Sequence, residues 1–196
     1  MTTASPPRWA EDLLKTILGR EHGETVAGDL IEQYRDSVYP SLGQSRADWW
    51  FIREVGGFAW RATWVWAMAF AALWLGREAL DWFVPTTDFL MRSMILTYSA
   101  ISLFTALGCW RAWRTRSLRG SALAALITAL LAAVFKTIGT GMMFAIWHDA
   151  ETRVAIAGSG GLGECFELPW LVVLPAVVVA IAGGLIGKAG ATLIKL

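Results

Sequence analysis

Apolar residues in this chain follow two regimes, and the change falls near Gly56-Gly57. Ahead of that pair they recur at helical spacing among charges. Trp9, Leu13, Leu14, Ile17 and Leu18 share one face of a first helix. Ser5-Pro6-Pro7 predicts its start, a capping residue followed by prolines whose fixed φ suits a first turn. Glu11 and Lys15 stand i,i+4 on the wet side. A second helix is predicted over about 24–38, with Val26, Leu30, Ile31, Tyr34 and Val38 in one stripe and Pro40 ending it. Residues 41–44 read as a loop. Ser45-Arg46-Ala47-Asp48 resembles a capping box and opens a third helix through Trp49, Trp50, Ile52 and Val55, with Gly56-Gly57 placed to bend it at the membrane. Three short amphipathic helices bury little apolar surface alone. Contact with the membrane through Trp49 and Trp50, or with a partner, is expected to add to their stability.

After Gly57 the apolar runs lengthen to membrane dimensions, about 20 residues for a helical span. Residues 168–187 carry no charge. Residues 93–110 are uncharged and extend back past Arg92, whose stem can reach the interface. Residues 120–147 are interrupted once, by Lys136. The first run is the weakest, free of charge only between Arg61 and Arg77. Its competing reading, a helix lying on the surface, needs a polar face, and Trp64-Val65-Trp66-Ala67-Met68-Ala69-Phe70 has none. The fold expected is all-α: a small cytoplasmic three-helix module, residues 1–55, followed by a four-helix transmembrane bundle, residues 56–196, with spans at about 58–80, 89–110, 120–147 and 168–187.

Charge placement orients this arrangement. The connection Arg111-Ala112-Trp113-Arg114-Thr115-Arg116-Ser117-Leu118-Arg119 holds four arginines and no acid, so it is expected inside. Residues 148–167 hold Arg153 against Asp149, Glu151, Glu164 and Glu167, so they are expected outside. Lys188 and Lys195 put the C-terminus inside, and four spans return the N-terminus to the same side. The polar start, with no apolar stretch in the first 30 residues, does not read as a signal peptide. Of 12 tryptophans, Trp60, Trp74, Trp82, Trp110, Trp113, Trp147 and Trp170 fall near proposed span ends, where an indole keeps its N–H wet; Trp66 is the exception.

Composition adds exclusions. Charged residues make up 17% of the chain, below the roughly 25% of soluble domains, and mean hydropathy is +0.49. A net charge of +1 offers no electrostatic footprint for nucleic acid. Cys109 and Cys165 fall on opposite sides of the expected bilayer, so no disulfide is expected between them.

Pro7-Arg8-Trp9, Leu13-Leu14, Arg20-Glu21 and Glu24-Thr25-Val26-Ala27-Gly28-Asp29-Leu30-Ile31-Glu32-Gln33-Tyr34-Arg35, with Arg46-Ala47-Asp48-Trp49-Trp50 leading into a span, resemble the permease prefix region. That region precedes the membrane part of bacterial, notably acidobacterial, ABC transporter permeases of the macrolide-exporter type. The resemblance covers about residues 7–58. It implies an inner-membrane protein with a cytoplasmic interaction module. Gly28, Asp29, Leu30, Glu32, Tyr34 and Arg35 are the candidate partner-binding residues, toward ABC transporter components or their regulator. Such permeases carry a large extracytoplasmic domain after the first span, and residues 76–88 are too short to hold one.

No residue set points to catalysis, a cofactor or a metal. Gly158-Ser159-Gly160-Gly161-Leu162-Gly163 matches GxGxxG, yet Pro169, Pro175 and a membrane run follow, and no acid lies beyond Glu167, so a glycine-rich loop is expected. Ala157 stands where a nucleophile elbow at Ser159 needs glycine, and Gly187-Lys188 lacks both the earlier glycine and the hydroxyl of a P-loop. His148, Asp149, Glu151, Cys165 and Glu167 match no metal-ligand spacing. Lys136 is the charge well inside a span. With no acid in the charge-free runs of the spans to neutralise it, it is a candidate pore, anion or lipid site; a shift of the helix toward one surface and pairing with carbonyls near Gly139-Thr140-Gly141 compete with that role. Ala176, Ala180 and Gly184, with Gly183 and Gly187 alongside, suit close helix packing, within the bundle or in a homo-oligomer. The function expected is non-enzymatic, partner-binding or regulatory and linked to transport; the alternative is a small oligomeric channel or transporter using Lys136.

Overall fold

The computed structural model describes residues 5–84, 89–158 and 161–193, with the backbone alone at Arg20 and Glu21, and these residues form helices and no strand. Residues 85–88 of the expected short connection, Ser159 and Gly160 of the glycine-rich segment, and Lys195 lie outside the described residues.

Helices α1 (Arg8–Leu18) and α2 (Arg20–Gln33) meet at Gly19, whose φ of +85° suits a residue without Cβ. That turn starts α2 earlier than the Glu24 predicted. Pro7, not Ser5, occupies the cap position of α1, its carbonyl accepting from the Ala10 and Glu11 amides. The chain winds on through a π-turn (Tyr34–Val38) into α3 (Tyr39–Leu42). Pro40 does not stop it. It sits in the first turn of α3, where a missing N–H leaves no bond unmade, and the break comes at Gly43, φ +73°.

The predicted third helix and first span are one helix, α4 (Gln44–Phe83), of 40 residues. Gly56 and Gly57 lie within it, both exposed. At 1.5 Å per residue it is about 60 Å long, roughly twice a bilayer's hydrocarbon core. Its first half closes the module core, in which Ala10, Leu14, Ala27, Tyr34, Val38, Ala47, Phe51 and Val55 are buried. Its second half packs Ala67, Phe70, Ala71 and Trp74 into the bundle. Asp48 caps nothing; it accepts the Tyr34 hydroxyl at 2.6 Å.

Three helical segments are long and apolar enough to cross a membrane: α5 (Phe89–Thr115), α6 (Leu118–Ile146), and residues 168–193, made of α9 (Leu168–Leu171) and α10 (Val173–Leu193). By that measure α4 is not among them, its apolar run being diluted by tryptophans and by Arg61, Arg77 and Glu78. Even so, Trp60, Trp64, Val65, Met68, Leu73 and Leu80 stand exposed along its second half.

The small residues of α10 are consumed inside the chain. A Cβ at Gly183 or Gly187 would strike the backbone of Thr105 or Cys109, and one at Gly108 the Ala180 carbonyl, so α5 and α10 touch backbone to backbone. Gly184 faces Ser121 of α6. Between α6 and α9, α7 (Ala150–Gly158) and α8 (Gly161–Phe166) fold over the bundle end remote from the module. Asp149 caps α7, accepting the Thr152 amide at 2.9 Å and hydroxyl at 3.0 Å, bonds that hold its carboxyl below the usual range. Residues 153–158 are helical, not the strand a dinucleotide-binding turn would follow. The module is seated on the other end, where Arg111 donates to the Ile17 carbonyl.

Candidate functional site: a buried charge cluster

The cluster is built where three elements converge. In α4, Phe70, Trp74 and Glu78 recur four apart, so the stripe that packs the bundle core ends in a carboxylate. In α6, Lys136 and Thr140 share a face by the same spacing. From α8 comes a backbone carbonyl, that of Cys165.

Lys136 lies about 15 Å along α6 from Ile146 and is 1% exposed. Its ammonium donates to Glu78 Oε1 at 3.1 Å and to the Cys165 carbonyl, and stands 5.9 Å from the Trp74 ring centroid. Glu78 Oε2 accepts the Thr140 hydroxyl at 2.5 Å. Both carboxylate oxygens and the ammonium are therefore held by short bonds, which lets a charge pair survive burial. Sequence reasoning placed no acid within reach of Lys136; Glu78 corrects that expectation.

A second tier continues from the same turn of α4. Arg77 Nη1 pairs with Glu164 Oε1 of α8 at 2.6 Å, and its Nη2 donates to Ser93 Oγ of α5 at 3.3 Å. Its Nε is 2.9 Å from Asp81 Oδ2, close enough for an ion pair though out of line for a hydrogen bond. Asp81 Oδ1 accepts from Arg92 at 3.1 Å. The same guanidinium donates to the Leu80 and Val84 carbonyls, each at 2.8 Å, closing the orphan end of α4. Lys136, Arg77 and Arg92 thus balance Glu78, Asp81 and Glu164.

The space left among these side chains is about 10 Å³, room for one water molecule at most. Cys165 lies against the cluster, and burial, reinforced by Glu78, pushes its thiol up to about 12. Cys109 and Cys165 are both free. Among the described residues no three His, Cys, Asp or Glu side chains gather as a metal site would require. What the arrangement does chemically is tie α4, α5, α6 and α8 together with neutralised charge.

The candidate partner-binding residues divide. Gly28, Asp29, Glu32 and Arg35 are exposed on α2 and the turn after it, and Leu30 is half-buried. Tyr34 is fully buried, a correction to its place in that set. Its ring meets Phe51 edge-on at 6.1 Å, and its hydroxyl bonds Asp48 and, at 2.9 Å, Gln44. Burial first, then Asp48, raises its pKa well above the usual phenol value. Tyr34 organises the module and presents nothing to a partner.

Searches of protein-family models, curated proteins and solved structures match this chain to none.

Proposed function

We propose that this protein is a non-enzymatic bacterial inner-membrane protein that binds a partner through its N-terminal module and serves as a regulatory or adaptor subunit of a transport system. In this reading α4 is a fourth span, and both termini are cytoplasmic. The outward row Trp60, Trp64, Val65, Met68 and Leu73 favours α4 as a lipid-facing helix, since water would meet a long apolar stripe there. The arginines at the α5–α6 turn favour the orientation. The partner class, ABC transporter components or their regulator, rests on the resemblance of residues 7–58 to the permease prefix region.

One observation carries the proposal. Lys136, Arg77 and Arg92 are paired with Glu78, Asp81 and Glu164 around a space of only about 10 Å³, while Gly28, Asp29, Glu32 and Arg35 stand together on a module seated on the bundle. The test is site-specific photocrosslinking from position 32 of the full chain in native membranes. A specific adduct with a permease or ATPase, lost in Asp29→Lys, is expected. Adducts with lipid alone, or ion flux in proteoliposomes that vanishes in Lys136→Met, would replace this reading with the channel one.

A further inference from the structure

Where the module meets the bundle, a cleft of about 990 Å³ opens between the end of α1, the start of α2 and the α5–α6 turn. Lys15, Arg114, Arg116 and Arg119 line it against Asp12 and Glu24, an excess of positive charge. Lys15 is already paired with Glu11 at 2.6 Å, and Arg114 is stacked 5.4 Å from the Trp110 centroid. Arg116 and Arg119 are exposed and have no carboxylate partner among the described residues. Arg116 is also the one non-glycine residue among them with positive φ, +54°, a conformation the tight α5–α6 turn imposes. The N-terminal ends of α2, at Gly19, and of α6, at Ser117, open on the same cleft and add the positive ends of two helix dipoles.

Depth identifies the ligand chemistry. Resting on the membrane orientation proposed above, helix α5, of 27 residues and about 40 Å against a core of about 30 Å, brings its arginine-bearing last turns among headgroups. Trp110 and Trp113 are exposed there, with Trp113 on the cleft wall, as indoles are at an interface. The planar fork of an arginine without a carboxylate partner at that level matches two oxygens of a tetrahedral phosphate.

We propose that this cleft binds the phosphate group of an anionic phospholipid headgroup, held by Arg116 and Arg119 and flanked by Arg114. The lipid then joins module to bundle, adding to the Arg111–Ile17 bond.

The probe is phosphatidylglycerol, titrated into the detergent-purified full chain by native mass spectrometry, with phosphatidylcholine as reference. The variant is Arg116→Asn with Arg119→Gln, asparagine being chosen because it tolerates the left-handed backbone. Each arginine removed near the surface weakens binding about fivefold, so the pair loses roughly thirtyfold for phosphatidylglycerol, while phosphatidylcholine, whose choline cancels the charge of its phosphate, binds weakly to both proteins. Arg46→Gln with Arg53→Gln removes the same charge elsewhere on the module and retains binding, and matching melting curves show that each variant folds. Competition by inorganic phosphate would show that the phosphate alone suffices and that soluble phosphate esters share the site; failure to compete would assign it to lipid. Equal binding by the cleft variant and the wild type, or an equal loss in the control, overturns the proposal.

Discussion

Lys136 and Glu78, 58 residues apart in sequence, form an ion pair at 3.1 Å in which Glu78 is also bonded by Thr140 and Lys136 by a carbonyl of α8. The pair locks α4 to α6 at the end of the bundle remote from the module. Its effect on stability depends on both charges being present together.

Lys136→Met therefore strands a buried carboxylate, and Glu78→Gln strands a buried ammonium. Each is expected to destabilise the protein by about 3–5 kcal/mol, whereas the double variant recovers most of that loss. Thermal melts of the four proteins in one detergent read the cycle. Additive single losses would show that the two residues act independently.

Cys165 reports on the same region. Its thiol, raised by burial to about 12, stays protonated in the fold, so maleimide labelling is slow from neutral pH up to the ordinary thiol pKa. Denaturation speeds it by returning the thiol to its ordinary pKa. Because the folded pKa is the higher one, this group's contribution to stability is complete below the unfolded value and declines as pH rises above it.

Tyr34 follows the same sign in the module. Its folded pKa lies above the ordinary 10, so its contribution is intact below that pH and is lost on further alkalinisation. Tyr34→Phe is expected to cost about 1 kcal/mol, since Gln44 and Asp48 keep their mutual bonds at 2.9 and 3.0 Å. A helical melt of the full chain against pH tests both statements. An alkaline slope that persists in Tyr34→Phe assigns it elsewhere.

Glycines separate by what surrounds them. Gly108→Val drives side-chain atoms into the Ala180 backbone and is expected to cost about 1–3 kcal/mol or prevent assembly of α5 with α10. Gly28→Ala meets nothing within 4 Å and is expected to stabilise α2 by about 0.5–1 kcal/mol. The contrast in melting temperature is the measurement.

Arg111→Met removes the bond to the Ile17 carbonyl, worth about 1.5–3 kcal/mol for a charged donor. The module is then expected to loosen from the bundle with its own helices intact. Faster proteolysis near Gly19 and broader spin-label distances between α2 and α6 would register this, and unchanged distances would show that the surrounding packing suffices.

Much of the architecture was legible in the pattern of residues. Periodicity marked the helices of residues 8–33, and apolar length marked α5, α6 and α10, because each property is local to its segment. The errors fell where two local signals competed. Pro40 reads as a stop, yet in the first turn of a helix it breaks no hydrogen bond. Gly56-Gly57 reads as a boundary, yet α4 passes through it, because packing on both sides outweighs two weak helix formers. The stripe Phe70, Trp74, Glu78 held the signal for Lys136's partner, but a carboxylate so near an arginine reads first as a solvated helix end.

By itself the sequence determined an all-helical chain, three of the four segments it proposes as spans, and an abrupt change from charged amphipathic helices to apolar ones. These follow from side-chain period and transfer free energy, which act residue by residue. Only the tertiary structure decided that Glu78 neutralises Lys136, that Tyr34 belongs to a core, that the glycines of α10 serve α5, and that the arginines of the α5–α6 turn share a cleft with α1. Each of those depends on which helix faces which, a property of the assembled bundle that no single segment carries.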